Sequence, residues 1–178
     1  MKKDFFWGAA TSAHQVEGNN HNDWSEFERD RGFELSGAAC DHYNRFREDF
    51  DIARDLGHNA HRFSIEWSRI EPEEGKFNEK EIGHYREVIS ALRERGLEPF
   101  VTLWHWTIPL WLRDKGGWMW KGAPLAFARF SERMAQEFPD VKYWITLNEP
   151  NVYTGHGYWQ GAWPPGVSSF RKFFLANW

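Results

Sequence analysis

The chain has a single cysteine, Cys40, among 178 residues, so no intrachain disulfide can form and a reducing, cytoplasmic setting is expected. No stretch approaches the roughly 20 apolar residues of a membrane span, so no membrane partner is expected. No basic stripe is present: 22 Lys and Arg stand against 26 Asp and Glu, and the net charge is −4. Nucleic acid is therefore not an expected partner. A metal lacks a ligand set. "HNAH" places His58 and His61 just before a strand, but no third ligand, HExxH pattern or Cys pair accompanies them. Neither a metal nor another cofactor is expected. Low-complexity linkers and internal repeats beyond a βα rhythm are also lacking, so residues 1–178 read as one domain. The start, "MKKDFFWGAATSA", imitates a signal peptide. Asp4 interrupts it, and its apolar patch is shorter than the roughly 7–15 residues an h-region needs, so it reads as mature protein.

What the chain has in excess is tryptophan. There are 12, and with 15 Phe and 5 Tyr the aromatics reach 18%. Most should pack a core, since aromatics bury large areas. The surplus suits a cleft lined with flat apolar faces.

Four segments read as short strands, about 5–9, 60–67, 99–104 and 143–147, each followed by a helical pattern. Residues 41–56 put Tyr43, Phe46, Phe50, Ala53 and Leu56 on one face, with Gly57 as the stop. Residues 79–95 put Ile82, Tyr85, Ile89 and Leu92 on one face, with Asn78 as N-cap and Gly96 as the end. Residues 124–138 align Phe127, Phe130, Met134 and Phe138 behind Pro124. A fourth helix starts in "SSFRKFFLANW". Strands alternating with helices predict a parallel α/β sheet. In "HRFSIEW", Phe63 and Ile65 share the face expected to meet helices, and Arg62, Ser64 and Glu66 share the other. Charge on a hidden sheet face suits a barrel interior near its working end. The chain stops at Trp178 inside an apolar helical run with no Gly, Asn or Pro to close it. The expectation is truncation, a split gene product or one half of a two-piece assembly.

Three motifs could carry chemistry. "FFWGAATSAHQVEG" runs from a strand into small residues and a polar cluster of His14, Gln15 and Glu17. Gln15 offers two donors and an acceptor from one planar group, which suits vicinal hydroxyls. "VTLWHWTIP" sets His105 between Trp104 and Trp106 at a strand end, where indole faces suit the C–H faces of a sugar. "YWITLNEPNVY" ends a β-prone run in Asn148 and Glu149. In a βα barrel that end carries the active site. A carboxyl among Trp and other apolar groups is disfavoured as the anion, which makes a usable general acid near neutral pH. The bland alternative for Glu149 is an ion pair with Arg62.

Taken together, in this order, the motifs resemble glycoside hydrolase family 1, the β-glucosidase family. "FFWGAATSAHQVEG" is similar to its N-terminal signature, "HRFSIEWSRI" to its second-strand segment, "TLWHWTIPLWL" to its His-Trp-Asp-x-Pro region and "TLNEP" to its acid/base segment. The resemblance spans the chain but only the N-terminal half of the family's (β/α)₈ barrel, here the first four βα units. It implies hydrolysis of terminal β-D-glycosidic bonds with retention. By matched position it implies Glu149 as general acid/base and Asn148 on the sugar 2-hydroxyl. Gln15 and His105 are implied on the 3- and 4-hydroxyl side, Trp106 as a wall, and Arg62 as support for the nucleophile carboxylate. Asn148 and Glu149 are neighbours, so both reach one sugar only if the strand bulges or ends there.

The departures matter equally. The family's nucleophile, a Glu in an Ile/Val-Thr-Glu-Asn-Gly segment, has no match, and neither do its late Tyr and Trp/Glu sugar clamp. Thr107 replaces the usual Asp. A retaining mechanism needs two carboxylates about 5–5.5 Å apart. Glu17 and Glu66 are the only improvised candidates for the second, so the isolated chain should be inactive or nearly so. Two open sheet edges predict association with a complementary C-terminal half, or self-association. A non-catalytic sugar-binding module and an inactive fragment are the alternatives.

Overall fold

In the computed structural model, which describes residues 5–176, four parallel strands stand side by side in sequence order. They are β1 (Gly8–Ala10), β2 (Ala60–Ser64), β3 (Glu98–Trp104) and β4 (Tyr143–Leu147). Each consecutive pair is joined through at least one helix, the crossover that parallel strands require. The register runs Ala10↔Arg62, Arg62↔Phe100 and Phe100↔Tyr143, so one row of residues crosses the whole sheet. Asp4 and the end of the expected fourth helix at Trp178 lie outside the described residues.

The helices form where the apolar period places them: His42–Asp55, Glu79–Glu94 and Ala123–Glu137. Asn78 caps the second, its side-chain oxygen accepting from the amides of Lys80 and Glu81. Ile82, Tyr85, Ile89 and Leu92 are all buried, as are Phe130, Met134 and Phe138. Each such side chain contributes about 1.5–3 kcal/mol on burial, which outweighs propensity differences of a few tenths. Leu56 departs from its predicted face and is 71% exposed, because the helix has already ended at Asp55. The last helix is Phe170–Ala176, with Phe170, Phe174 and Leu175 exposed.

Two strand limits differ from expectation. β1 starts three residues later than predicted, at Gly8, where an added Cβ would stand 2.2 Å from the Ala60 carbonyl oxygen. Glycine lets this edge strand approach β2. β2 ends at Ser64 instead of Trp67, because the Glu66 side chain caps a short helix, Trp67–Ile70. Phe63 does face the helices, its ring parallel to that of Tyr85, while Arg62 points to the other side with Thr102 and Asn148. Glu66 does not share that side. It is fully buried and accepts from Ser68 and Thr107. Thr107, where the resembled pattern has Asp, is therefore the donor that this carboxylate uses.

Both edges of the sheet are open among the described residues: β1 is exposed throughout and β4 for most of its length. At the lower end of the inner face Phe100 and Tyr143 stack at 4.4 Å, and Phe6 meets both edge-on. No described helix is long and apolar enough to cross a membrane.

Candidate active site

β4 stops at Leu147, and the amide of Asn148 makes one last ladder bond to the Trp104 carbonyl, 2.9 Å. Glu149 then turns left-handed at φ +43°, and Pro150 opens the helix Pro150–Thr154. The strand ends where two adjacent residues are asked to serve one site. Asn148 is buried and turned inward. Its Oδ1 accepts from Arg62 Nη2 at 2.6 Å, and its Nδ2 meets His105 Nε2 at 3.1 Å. The Trp106 indole N–H donates to the Asn148 carbonyl at 3.1 Å. Arg62 is braced in turn by Thr102, 2.8 Å from Nε to Oγ1.

This chain of bonds assigns a tautomer. Asn148 Oδ1 accepts from the guanidinium, so its amide nitrogen donates to His105 Nε2 and the imidazole proton sits on Nδ1. Nδ1 is buried without a partner. Burial, helped by the Arg62 charge, pulls the His105 pKa down to about 4. The ring is neutral at pH 7, with one donor and one acceptor. Burial also lowers Arg62 from the ordinary arginine range, with the Glu149 charge acting the other way.

Gln15 lies just beyond β1 on a one-turn helix, Ala13–Val16, with its side chain exposed. It lines a hollow with His105, Trp106 and Trp24. Of its predicted companions, His14 lines the same hollow with its ring nitrogens already engaged, and Glu17 turns away. His14 is buried between Glu28 and Asn22, and Glu17 accepts from Arg69 and Tyr85 behind the sheet end. With Glu66 also sequestered, neither improvised second carboxylate is free. Glu149 differs from expectation as well. Its side chain is exposed and makes no hydrogen bond among the described residues, because no strand beyond β4 closes the lumen over it. The alternative ion pair is not formed either: Arg62 bonds the neutral oxygens of Thr102 and Asn148, and Glu149 acts on it only from beyond contact distance.

Two residues escaped the sequence reading. Trp24 and Trp163 join Trp106 in an aromatic shelf, with ring centroids 5.3 Å apart for Trp24–Trp163 and 4.6 Å for Trp106–Trp163. Trp106, like Glu149, is a non-glycine residue at positive φ, +76°. Such strain persists only where surrounding structure over-determines it, and it clusters at working sites. Glu149→Gly is expected to stabilise the fold by about 0.5–1 kcal/mol, the left-handed penalty less the extra chain entropy of glycine. Urea unfolding checks this; a loss of stability would show that the Glu149 conformation carries no strain.

The model of Glycosyl hydrolase family 1 matches residues 1–178. Among solved structures, a β-glycosidase from Pyrococcus horikoshii superposes with a TM-score of 0.94 at 43% identity, covering 99% of this chain and 42% of that one. β-Glucosidase A of Thermotoga maritima is 41% identical over 97% of this chain and 41% of its own length. An aryl-phospho-β-D-glucosidase of Bacillus subtilis is 36% identical over 98% of this chain and 39% of its own length. The chain spans about two fifths of the length of these relatives.

Proposed function

The chain belongs to glycosyl hydrolase family 1, and on that premise we propose that residues 1–178 act as the first four βα units of a retaining β-glycosidase. Glu149 is the general acid/base, protonating the leaving oxygen and then activating water. Asn148 holds the sugar 2-hydroxyl, a contact that tightens in the oxocarbenium-like transition state. Gln15 and His105 grip the 3- and 4-hydroxyl side against the Trp106 wall. Arg62 supports a nucleophile carboxylate that comes from a complementary C-terminal half, paired through the open edges of β1 and β4. The substrate is a terminal β-D-glucoside or a related β-glycoside, and no cofactor takes part. The lone cysteine suits a cytoplasmic setting.

The observation that carries this reading is the bonded set Arg62–Asn148–His105 at the strand ends. It offers neutral and cationic donors to hydroxyl and carboxylate oxygens, beside a free carboxylate at Glu149. Glu17 and Glu66 are bound elsewhere, so the chain alone is expected to be inactive.

The test is hydrolysis of phenyl β-D-glucoside by the chain alone and after mixing with a polypeptide carrying the remaining βα units of a β-glucosidase relative. Turnover is expected only on mixing. Turnover by the chain alone, or a stable complex that binds the glucoside without cleaving it, overturns the assignment. The second outcome would favour a sugar-binding module.

A further inference from the structure

A second cavity lies apart from the sugar hollow. It has a volume of about 560 Å³ and lies between the helix Asp23–Arg31, the turn at Gly116–Gly117 and the segment that follows Glu149. Its size falls in the range of small-molecule sites, typically about 300–1,000 Å³. The helix contributes Asp23, Glu26, Phe27 and Asp30, which share one face at helical spacing. Tyr153, Tyr158 and Met119 complete the lining.

Two features of this lining call for an occupant. Tyr158 is 1% exposed, and its hydroxyl has no hydrogen-bond partner of ordinary geometry. Asp23 is 3% exposed, accepts one backbone N–H from Ile108 at 2.8 Å and has no basic side chain within ion-pair distance. Burial raises its carboxyl to about 8. At pH 7 such a carboxyl keeps its proton; a cation set against it favours the anion, so the pair forms most readily at about pH 8 and above. The basic residues on the lining leave room for a cation. Arg113 is bound to Asp114 at 2.7 Å, and Lys172 is exposed. Glu26 is tied to Arg29, so Asp23 is the buried acid of this lining with no ion pair, Arg113 acting on it only from beyond contact distance.

We propose that this cavity is a binding site for a small organic ammonium ion with an aromatic or alkyl body. Its charged head sits at Asp23 and the Tyr158 hydroxyl, and its apolar body lies on Phe27, Met119 and Tyr153. The site stands apart from Glu149 and does not depend on the glycosidase reading.

The test uses the 178-residue chain and two probes of nearly equal shape, 2-phenylethylammonium and neutral 2-phenylethanol, titrated by calorimetry. The ammonium is expected to bind about tenfold more tightly than the alcohol. Asp23→Asn keeps the acceptor for the Ile108 amide and is expected to erase that preference. Tyr158→Phe keeps the ring and is expected to weaken the ammonium about threefold. Intermolecular NOEs from the bound probe to the Met119 methyl and Tyr158 ring, on the unsubstituted chain, locate the site without any variant. Equal affinity for the two probes, no binding by either, or NOEs to other residues overturns the proposal.

Discussion

Replacing Glu149 by Gln in the completed barrel is expected to lower kcat/KM for phenyl β-D-glucoside by about 10²–10⁴-fold, the range for loss of a positioned proton donor. The leaving group decides how much is lost. Phenolate needs a proton as the glycosidic bond breaks. 2,4-Dinitrophenolate leaves without one, so the first step with that substrate should be nearly intact. On the proposed assignment the second step still needs Glu149 as a base for water. The variant is therefore expected to release a burst of dinitrophenol and then turn over slowly, and stopped-flow absorbance reads both phases. An equal loss on both substrates, with no burst, would mean that Glu149 shapes the site and does not move the proton.

The same residue shows what the sequence could and could not say. That a carboxylate ends β4 was legible, because β-prone residues stop abruptly at Asn-Glu-Pro and Pro150 cannot extend a ladder. The helices were legible for a similar reason: three apolar stripes at helical spacing coincide with caps and glycine stops. The lower row of the sheet was legible in type, since alternation in "HRFSIEW" separates Phe63 from Arg62. The failures have a common cause. β2 ends early because Glu66 prefers the amide and hydroxyl of Ser68 to a place on the strand, and strand propensity does not register that competition. His14 is tied up beside Gln15 and Glu17 turns away from it because their partners, Glu28, Asn22, Arg69 and Tyr85, arrive from other elements. Trp24 lies in the first turn of the helix Asp23–Arg31 and Trp163 in a distant loop, and nothing in either neighbourhood signals that they meet beside Trp106. The expected apolar enclosure of Glu149 assumed a closed lumen, whereas four strands surround only part of one.

Arg62 and Arg69 make an instructive pair. Both are partly buried guanidiniums, Arg62 in the middle of β2 and Arg69 in the short helix that follows it. Arg62 is bonded only to neutral oxygens of Thr102 and Asn148, which leaves its charge available to a carboxylate from outside the described residues. Arg69 is fully committed. Its Nε meets Glu17 at 2.9 Å, its Nη2 donates to the Gly18 carbonyl at 2.6 Å, and its plane lies 4.5 Å from the centre of the Tyr43 ring. The first arrangement suits function and the second suits stability, although both begin as an arginine in or just after β2.

That commitment gives the largest expected effect on folding. Burial, against the pull of Arg69 and the Tyr85 hydroxyl, raises the Glu17 carboxyl from 4.5 to about 7. A folded value above the unfolded one means that the folded state holds the proton more tightly. Glu17's stabilising share is therefore full below pH 4.5 and is lost as pH rises toward 7. Above that, Arg69 is what makes the buried anion tolerable. Arg69→Met keeps much of the side-chain volume and removes the charge. It is expected to cost about 1.4 kcal/mol more at pH 8 than at pH 5, because the stranded carboxyl takes up a proton and pH 8 lies about one unit above its value in the intact protein. At pH 5 Glu17 is protonated with or without Arg69, so only the lost bond to Gly18 and the lost packing on Tyr43 remain as a cost. Adding Glu17→Gln to Arg69→Met should restore stability at pH 8, because no carboxyl then has to take up a proton on folding. Urea unfolding of both variants at the two pH values decides the matter. If Arg69→Met costs the same at pH 5 and pH 8, the bond to the Gly18 carbonyl and the packing on Tyr43 hold this corner, and its charge does not.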